Sequence, residues 1–317
     1  MLSDHASAVA NAFGLGNPVA EMVFAARGEL GRIWRLDTHQ GSFAVKELLL
    51  RQQADEAALD ATYQDAVAAA GTVSLPRLVR TSSAEVLLEI GPHQVRVYGW
   101  VDLLPEDSTL DPALIGSTVA AIHRIQHAPV RPLNGWYTDP VGTERWAELL
   151  DQARGVNAPF TDTFAGEIPY LIELEGMITV PTNLQMCHRD LWSDNFLPAA
   201  SGGVCVVDWE NCGLADPAQE LPMVVFSFGG GDATRTRNLY ETYRDAGGSG
   251  RLSQRGDFTM VIAQFGHFWE QAVAAYVAPG ATDDVKAHSI GRIDEAMSPP
   301  LRVEDIDRVL DWVAGVR

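Results

Sequence analysis

The sequence predicts an α+β protein of two lobes, a small strand-rich lobe followed by a larger and mainly helical one, and three observations carry that expectation. Short strand-like runs broken by glycine turns, with one alanine-rich helix among them, fill the first hundred or so positions. Helical periodicity dominates the remainder. Between them lies Gly99-Trp100-Val101-Asp102-Leu103-Leu104-Pro105, read as an extended crossing, which divides the chain into 1–102 and 103–317. At 317 residues, 46% hydrophobic and 21% charged, the chain is long enough for two domains and a sizeable core.

Taken in order, Gly28-Glu29-Leu30-Gly31 and the run to Leu36 read as strand, glycine turn, strand, with a second turn at His39-Gln40-Gly41. Two glycines three apart are a weak phosphate-loop signal; their place before a lysine-ended strand makes Gly28 and Gly31 candidates for nucleotide contact. That strand is Ser42-Phe43-Ala44-Val45-Lys46. Arginine greatly outnumbers lysine, and Lys46 and Lys286 are the only lysines in the chain. A lysine at the end of a Val-Ala-x-Lys-type strand places an ammonium on nucleotide phosphates; the plain alternative is a surface lysine. The helix that follows, 54–70, is expected to end at Gly71 and to carry an acidic partner for Lys46. Glu56 and Asp60 lie four apart on one face, so either qualifies, as does simple solvation of both. A hairpin is expected from 86–90 and 95–100 around Gly91-Pro92-His93, and at the crossing Gly99 and Val101 are the candidates for a carbonyl and an amide facing an adenine edge.

Beyond the crossing, Asp111-Pro112 reads as N-cap and first helical residue, followed by Leu114, Ile115, Val119, Ile122 and Ile125 near one face; His123 there is expected to be structural. Further helices are expected over 144–154, 164–177, from Asp216-Pro217, and over 233–246, 258–277 and 304–313.

The chemistry concentrates between 185 and 208. Cys187-His188-Arg189-Asp190 is followed by Asn195, and the apolar run Gly203-Val204-Cys205-Val206-Val207 delivers Asp208 at its end. This spacing fits metal-bridged phosphoryl transfer: Asp190 accepts a hydroxyl proton, while Asn195 and Asp208 offer hard oxygens to a divalent cation. Two short strands, 196–198 and 204–207, would fold Asp208 back beside Asn195 as a hairpin. Ordinary turn and strand, with His188 a core residue, is the bland alternative; it requires four positions to agree by accident.

Composition bounds the rest. A formal net charge of -19 argues against nucleic acid as a partner and leaves a cationic small substrate comfortable. No signal-peptide pattern and no bilayer-length apolar run is present, so no membrane and a cytoplasmic location are expected. Cys187, Cys205 and Cys212 are odd in number and lack CxxC spacing, which reads as small buried residues and not as a disulfide or zinc framework.

Lys46, His188-x-Asp190, Asn195, Asp208 and Ala215-Asp216-Pro217 together resemble the aminoglycoside phosphotransferase family of small-molecule kinases, over about 28–220. The resemblance implies a bilobal protein-kinase-like fold, ATP and magnesium as cofactors, Asp190 as base, Asn195 and Asp208 as metal ligands, Lys46 on the phosphates and His188 bracing the loop. Asp208 is followed by Trp209-Glu210-Asn211-Cys212-Gly213 and a helix start, with no long activation segment, which speaks against a protein substrate. Arg189 stands where antibiotic-modifying members commonly have glycine. The run Cys-His-Arg-Asp-Leu-Trp-x-Asp-Asn with Asp-Trp-Glu-Asn-x-Gly is similar to the actinobacterial glucosamine kinase branch, which implies transfer to the 6-hydroxyl of that amino sugar.

A cationic sugar needs a carboxylate near its amine, because an unpaired buried charge is costly. Glu210 is the first candidate, against a structural pairing with Arg189. Asn211 is expected on a ring hydroxyl and Trp192 against an apolar sugar face; Arg189 joins the substrate-binding set, and His267, Trp269 and Glu270 would close the pocket from a C-terminal helix, with core packing the ordinary reading of Trp269. The rivals are an aminoglycoside O-phosphotransferase, a kinase for another small alcohol such as choline, homoserine or maltose, and a non-catalytic nucleotide-binding module of the same fold.

Overall fold

A computed structural model describes residues 2–28, 31–129 and 132–316. The first lobe is built on an antiparallel sheet of six strands: β1 (Val23–Arg27), β2 (Gly31–Thr38), β3 (Gly41–Leu48), β4 (Leu78–Val79), β5 (Leu88–Ile90) and β6 (His93–Gly99). Their order is β1-β2-β3-β6-β4, with β5 also on β6. Alternation along β3 and β6 splits the sheet into two different faces. Val45, Val95 and Val97 pack under a short N-terminal helix, α1 (Ala6–Phe13), with Val9, Ala10 and Phe13. Lys46 stands opposite Arg96 in the β3–β6 register, so these two cations share the other face.

Helix α2 (Ala54–Ala70) ends, as its sequence predicts, on Gly71 at φ 66°. It belongs to both lobes. Ala57 and Ala61 pack on Val86, whereas Tyr63 and Val67 enter the main core with Ile115, Phe196, Val206 and Trp209. The Val206 amide also donates to the Ser74 carbonyl at 2.9 Å. The crossing is tied down in the same way: Ala200 N–H donates to the Asp102 carbonyl and Leu104 N–H to that of Pro198, both at 2.8 Å.

The second lobe contains α3 (Pro112–His123), α4 (Thr143–Gly155), α5 (Thr161–Glu175), α6 (Pro217–Gly229), α7 (Ala233–Asp245), α8 (Thr259–Val277), α9 (Asp283–Ala296) and α10 (Val303–Val313). Asp111 and Asp216 cap α3 and α6 by accepting the amides of Ala113 and Ala218, with proline at the first helical turn in both. A second apolar core joins α4, α5, α8 and α9, where Trp269 is 1% exposed and stacks on Phe164 at 5.6 Å. That settles Trp269 as a core residue. Four short strands complete the lobe: β7 (Gln185–Cys187) pairs with β10 (Gly213–Ala215), and β8 (Phe196–Pro198) with β9 (Val204–Val206). All three cysteines are buried and free. No helix among the described residues is long and apolar enough to cross a membrane.

Candidate active site

Two small sheets converge where the lobes meet. The β8–β9 register pairs Phe196 with Val206, and the Val207 amide donates to the Asn195 carbonyl at 3.0 Å. Asn195 and Asp208 therefore sit one step apart across the hairpin mouth. Asp208 occupies left-handed backbone at φ 59°, a conformation that costs a non-glycine residue about 1 kcal/mol or more and that clusters at functional sites. The sheet of β7 and β10 supports the other end of the loop and leads directly into His188, Arg189 and Asp190.

His188 is fully buried and bonds the Val207 carbonyl through Nε2 at 3.0 Å, with its ring edge-on to Trp209 at 4.6 Å. Because a carbonyl only accepts, Nε2 carries the proton. Burial lowers the histidine's pKa, which keeps the ring neutral, and the bond ties the catalytic loop to the residue that precedes Asp208. Glu220 anchors the same loop from below. Its fully buried carboxylate accepts the Arg189 amide and bonds His123 Nε2 at 2.7 Å, while His123 Nδ1 meets the Tyr243 hydroxyl at 2.7 Å. His123 is structural, as expected, but its partners on α6 and α7 were not legible from its helix.

Asp190 lies at the open end of this scaffold. Asn195 Nδ2 donates to its backbone carbonyl at 2.9 Å and Asn211 Nδ2 to its carboxylate at 3.2 Å. Burial pushes the Asp190 carboxyl up to about 6, against the pull of the Asn211 hydrogen bond. A carboxylate poised there can take a proton from an alcohol near neutral pH.

Lys46 reaches the site from β3, with its ammonium 2.8 Å from Asp208 and 3.0 Å from Glu210. These two carboxylates hold it protonated against burial. Gly31 passes directly over it: a Cβ there would lie 3.0 Å from Lys46 Cε. A side chain there would make the lysine shift by a few tenths of an ångström. Gly28 N–H donates to the Gly31 carbonyl at 2.9 Å, and Glu29 and Leu30 between them lie outside the described residues.

Several expected roles change in this geometry. The helix α2 carboxylates do not supply the partner that Lys46 was expected to have. Asp60 is buried beside Arg96 at 3.7 Å and accepts from Gln52 at 2.9 Å, and Glu56 is exposed. Glu210 takes that place, because the turn after Asp208 directs its carboxylate onto Lys46, toward Arg96 at 3.9 Å, and onto the Tyr98 hydroxyl at 2.7 Å. Although burial opposes it, Lys46 first and Arg96 after it hold Glu210 well below the ordinary carboxylate range, whereas burial and the adjacent Glu210 charge push Asp208 up to about 8. Glu210 is thus engaged by Lys46, Arg96 and Tyr98 within the protein. Its anticipated pairing with Arg189 is also absent among the described contacts of that residue. Arg189 is turned inward, 3% exposed, donating from Nε to the Asn211 carbonyl at 2.7 Å and from Nη2 to the Cys212 carbonyl at 3.2 Å. A substrate cannot reach it, which removes Arg189 from the substrate-binding set.

The remaining candidates are placed as follows. The Gly99 amide is used by the Arg77 carbonyl at 2.8 Å and that of Trp100 by the Ser42 carbonyl at 3.1 Å, which withdraws the Gly99 amide from ligand contact; Val101 follows beyond the sheet. Trp192 is half-buried against the small apolar cluster that contains Tyr137, Met260 and Val261. His267 stacks on Trp136 at 5.0 Å and bonds Glu270 at 3.2 Å, and Glu270 accepts from Arg145 at 2.8 Å. Helix α8 reaches the loop through Gln264, whose Nε2 donates to the Arg189 carbonyl at 3.2 Å. Trp136, Tyr137 and Gln264 carried no motif; only their packing identifies them.

The fold is matched elsewhere. The family described as the phosphotransferase enzyme family, APH, matches residues 22–256. Among solved structures, spectinomycin phosphotransferase in complex with ADP and spectinomycin superposes with a TM-score of 0.69 at 11% identity, covering 98% of this chain and 97% of that one. Amicoumacin kinase in complex with AMP-PNP, Ca2+ and Ami gives 0.62 at 13% identity over 96% and 95% of the two chains. A choline/ethanolamine kinase family protein from Mesorhizobium loti gives 0.54 at 20% identity over 99% of both. At these identities the likeness is one of fold. No curated protein sequence matches the chain.

Proposed function

The chain belongs to the phosphotransferase enzyme family, and on that premise we propose that it is a cytoplasmic kinase that moves the terminal phosphoryl group of ATP to the 6-hydroxyl of glucosamine. The observation that carries the kinase reading is the juxtaposition of Asp190, raised to about 6 by burial, with Lys46 and the Asn195–Asp208 hairpin mouth. In this reading 1–102 holds the nucleotide and 103–317 supplies base and acceptor site.

Hard oxygen donors fit magnesium. The Asp208 carboxylate and the oxygen of Asn195, whose Nδ2 is already spent on Asp190, would hold it, and the crowding of Asp208 against Glu210 is what a cation would relieve. When bound, the metal neutralises phosphate charge. Lys46, steadied by Glu210, binds the phosphates. Asp190, held by Asn211, orients the acceptor hydroxyl and takes its proton late. His188 and Glu220 keep the loop in place, so the residues work mainly by positioning and by charge already in place.

Glucosamine is favoured by the likeness of the loop and of the Asp208–Gly213 run to that branch, and by the acidic surroundings of the loop. Asp194 feels Glu106 and Glu295 nearby, and burial together with these charges raises its pKa. Such a mouth suits a cationic acceptor. With Glu210 committed to Lys46, the acceptor side of the cleft falls to Trp192 on the loop and to Trp136, His267 and Glu270 facing it. The likeness to spectinomycin phosphotransferase supports an aminoglycoside as the second reading.

ATP consumption with glucosamine, glucose, an aminoglycoside panel, choline, homoserine and maltose tests the proposal. We expect kcat/KM for glucosamine to exceed that for glucose by roughly 100-fold or more. Preference for an aminoglycoside would establish the second reading, and nucleotide binding without turnover on any acceptor would leave a non-catalytic module.

A further inference from the structure

We infer that Arg189 and Asn211 are positioning residues that form one circuit around the base: Arg189 fixes the Asn211 main chain, and the Asn211 side chain fixes the Asp190 carboxylate. The inference rests on the reading of Asp190 as the base, and it adds a role for two residues whose motif positions suggested substrate contact.

The contacts that make the circuit run from the Arg189 main chain to the Asp190 carboxylate, with Arg189 Nη1 buried and without a hydrogen-bond partner. Arg189 adopts left-handed backbone at φ 67°. Its amide is taken by Glu220 and its carbonyl receives Gln264 Nε2 at 3.2 Å, so the peptide groups before and after its Cα are both held. The guanidinium lies over the Tyr137 ring at 4.5 Å and spans two consecutive carbonyls, those of Asn211 and Cys212, at 2.7 and 3.2 Å. A planar fork matches two carbonyls in a row, which a lysine ammonium cannot do with one fixed geometry. Gly213 makes room for it, because a Cβ at that position would overlap the guanidinium carbon. With its main chain held, Asn211 donates from Nδ2 to Asp190 Oδ2 at 3.2 Å. The residue before the base therefore controls the base through the segment that follows Asp208, and one unit couples Asp190 to the metal side of the site.

The consequence is a loss of turnover without a matching loss of nucleotide. Variants are compared for kcat and KM on glucosamine, for ATP hydrolysis with water as acceptor so that the test does not depend on the sugar, and for ATP affinity by calorimetry. Asn211→Ala should lower kcat about 100-fold, the cost of a base displaced by about 1 Å, with ATP affinity changed less than about threefold. Asn211→Ser, which retains a donor, should recover part of the loss. Arg189→Met keeps the stem on Tyr137 but cannot hold the carbonyls, and should fall similarly. The double variant should be no worse than Asn211→Ala alone, since the two act in series. Multiplicative losses in the double variant, or equal losses of kcat and ATP affinity, would overturn the circuit. If Arg189→Met does not fold, the Asn211→Ala and Asn211→Ser pair decides: unchanged kcat in Asn211→Ala refutes the proposal. Asp190→Ala serves as the reference. Normal turnover in that variant would overturn the base assignment and the circuit together, whereas inactive Asp190→Ala with active Asn211→Ala would overturn the circuit alone.

Discussion

Asp190 carries a stability penalty that the role proposed for it explains. Burial raises its carboxyl from 3.8 to about 6. Between those values the folded chain binds a proton that the unfolded chain has released, so the charge destabilises the fold fully above pH 6 and progressively less as the pH falls through 6. We expect Asp190→Asn to stabilise the ligand-free protein at pH 8 by about 1–3 kcal/mol, with the gain vanishing by about pH 4. Thermal melts of both proteins across that range check this; a variant less stable at pH 8 would contradict it. The same ionisation should set the acid limb of the activity profile, with kcat/KM falling as pH drops through about 6. Glu210 behaves differently. Because it faces Lys46 and Arg96, Glu210→Gln should weaken ATP binding and reduce turnover of glucosamine and glucose by the same factor. A loss confined to glucosamine would return Glu210 to the amine. Its spacing from Asp208 was plain in the sequence, but its partners Tyr98 and Arg96 stand more than a hundred positions away. Residue types at fixed spacing singled out Asp190, Asn195, Asp208 and Lys46, which the fold brings to one cleft; the direction in which Glu210, Asn211 and Arg189 turn depends on tertiary contacts that no local pattern encodes.

At the scale of elements, the turn into β2 and the path of β3 are linked by Gly31. Gly31→Ala places a Cβ 3.0 Å from Lys46 Cε and 3.2 Å from the Glu47 carbonyl, so the lysine must move. Overpacking of this kind costs about 1–3 kcal/mol, and we expect the KM for ATP to rise about fivefold or more with little change in the KM for the acceptor. Equal ATP affinity in the variant would show that Lys46 does not set it. Elements with strong signals were legible: α2 by its alanine-rich run and Gly71, α3 and α6 by Asp-Pro starts, and the β8–β9 hairpin by its apolar run. Helices α1 and α9 were not. The first buries Ala6, Val9, Ala10 and Phe13 at helical spacing but is only eight residues long with no side-chain cap, so the stripe covers barely two turns; the second buries only Ser289 and Ile293 and shows no clear apolar stripe. Strands β4, β7 and β10, at two or three residues, are too short for a period of two to register.

On the scale of the whole molecule, the lobes meet at a charged cleft and are also fastened through α2, which puts Tyr63 and Val67 into the core of the helical lobe. The family and the two-lobed fold were legible from a few motif positions because phosphoryl transfer demands a base, a metal pair and a cation in fixed relation. The inter-lobe role of α2 was not, since its apolar residues read equally as a helix lying on its own sheet. Nucleotide binding across the cleft should stabilise both lobes together. At 100 times its Kd, ATP with magnesium should add about 2.7 kcal/mol to unfolding, and chelation of the metal should remove most of that. The central claim is that Asn195 and Asp208 meet one cation beside Asp190. A crystal grown with AMP-PNP and manganese tests it through the anomalous signal of the ion. The account predicts a peak about 2.2 Å from the Asp208 carboxylate and the Asn195 side-chain oxygen; a peak held by other residues, or none between these two, would contradict it.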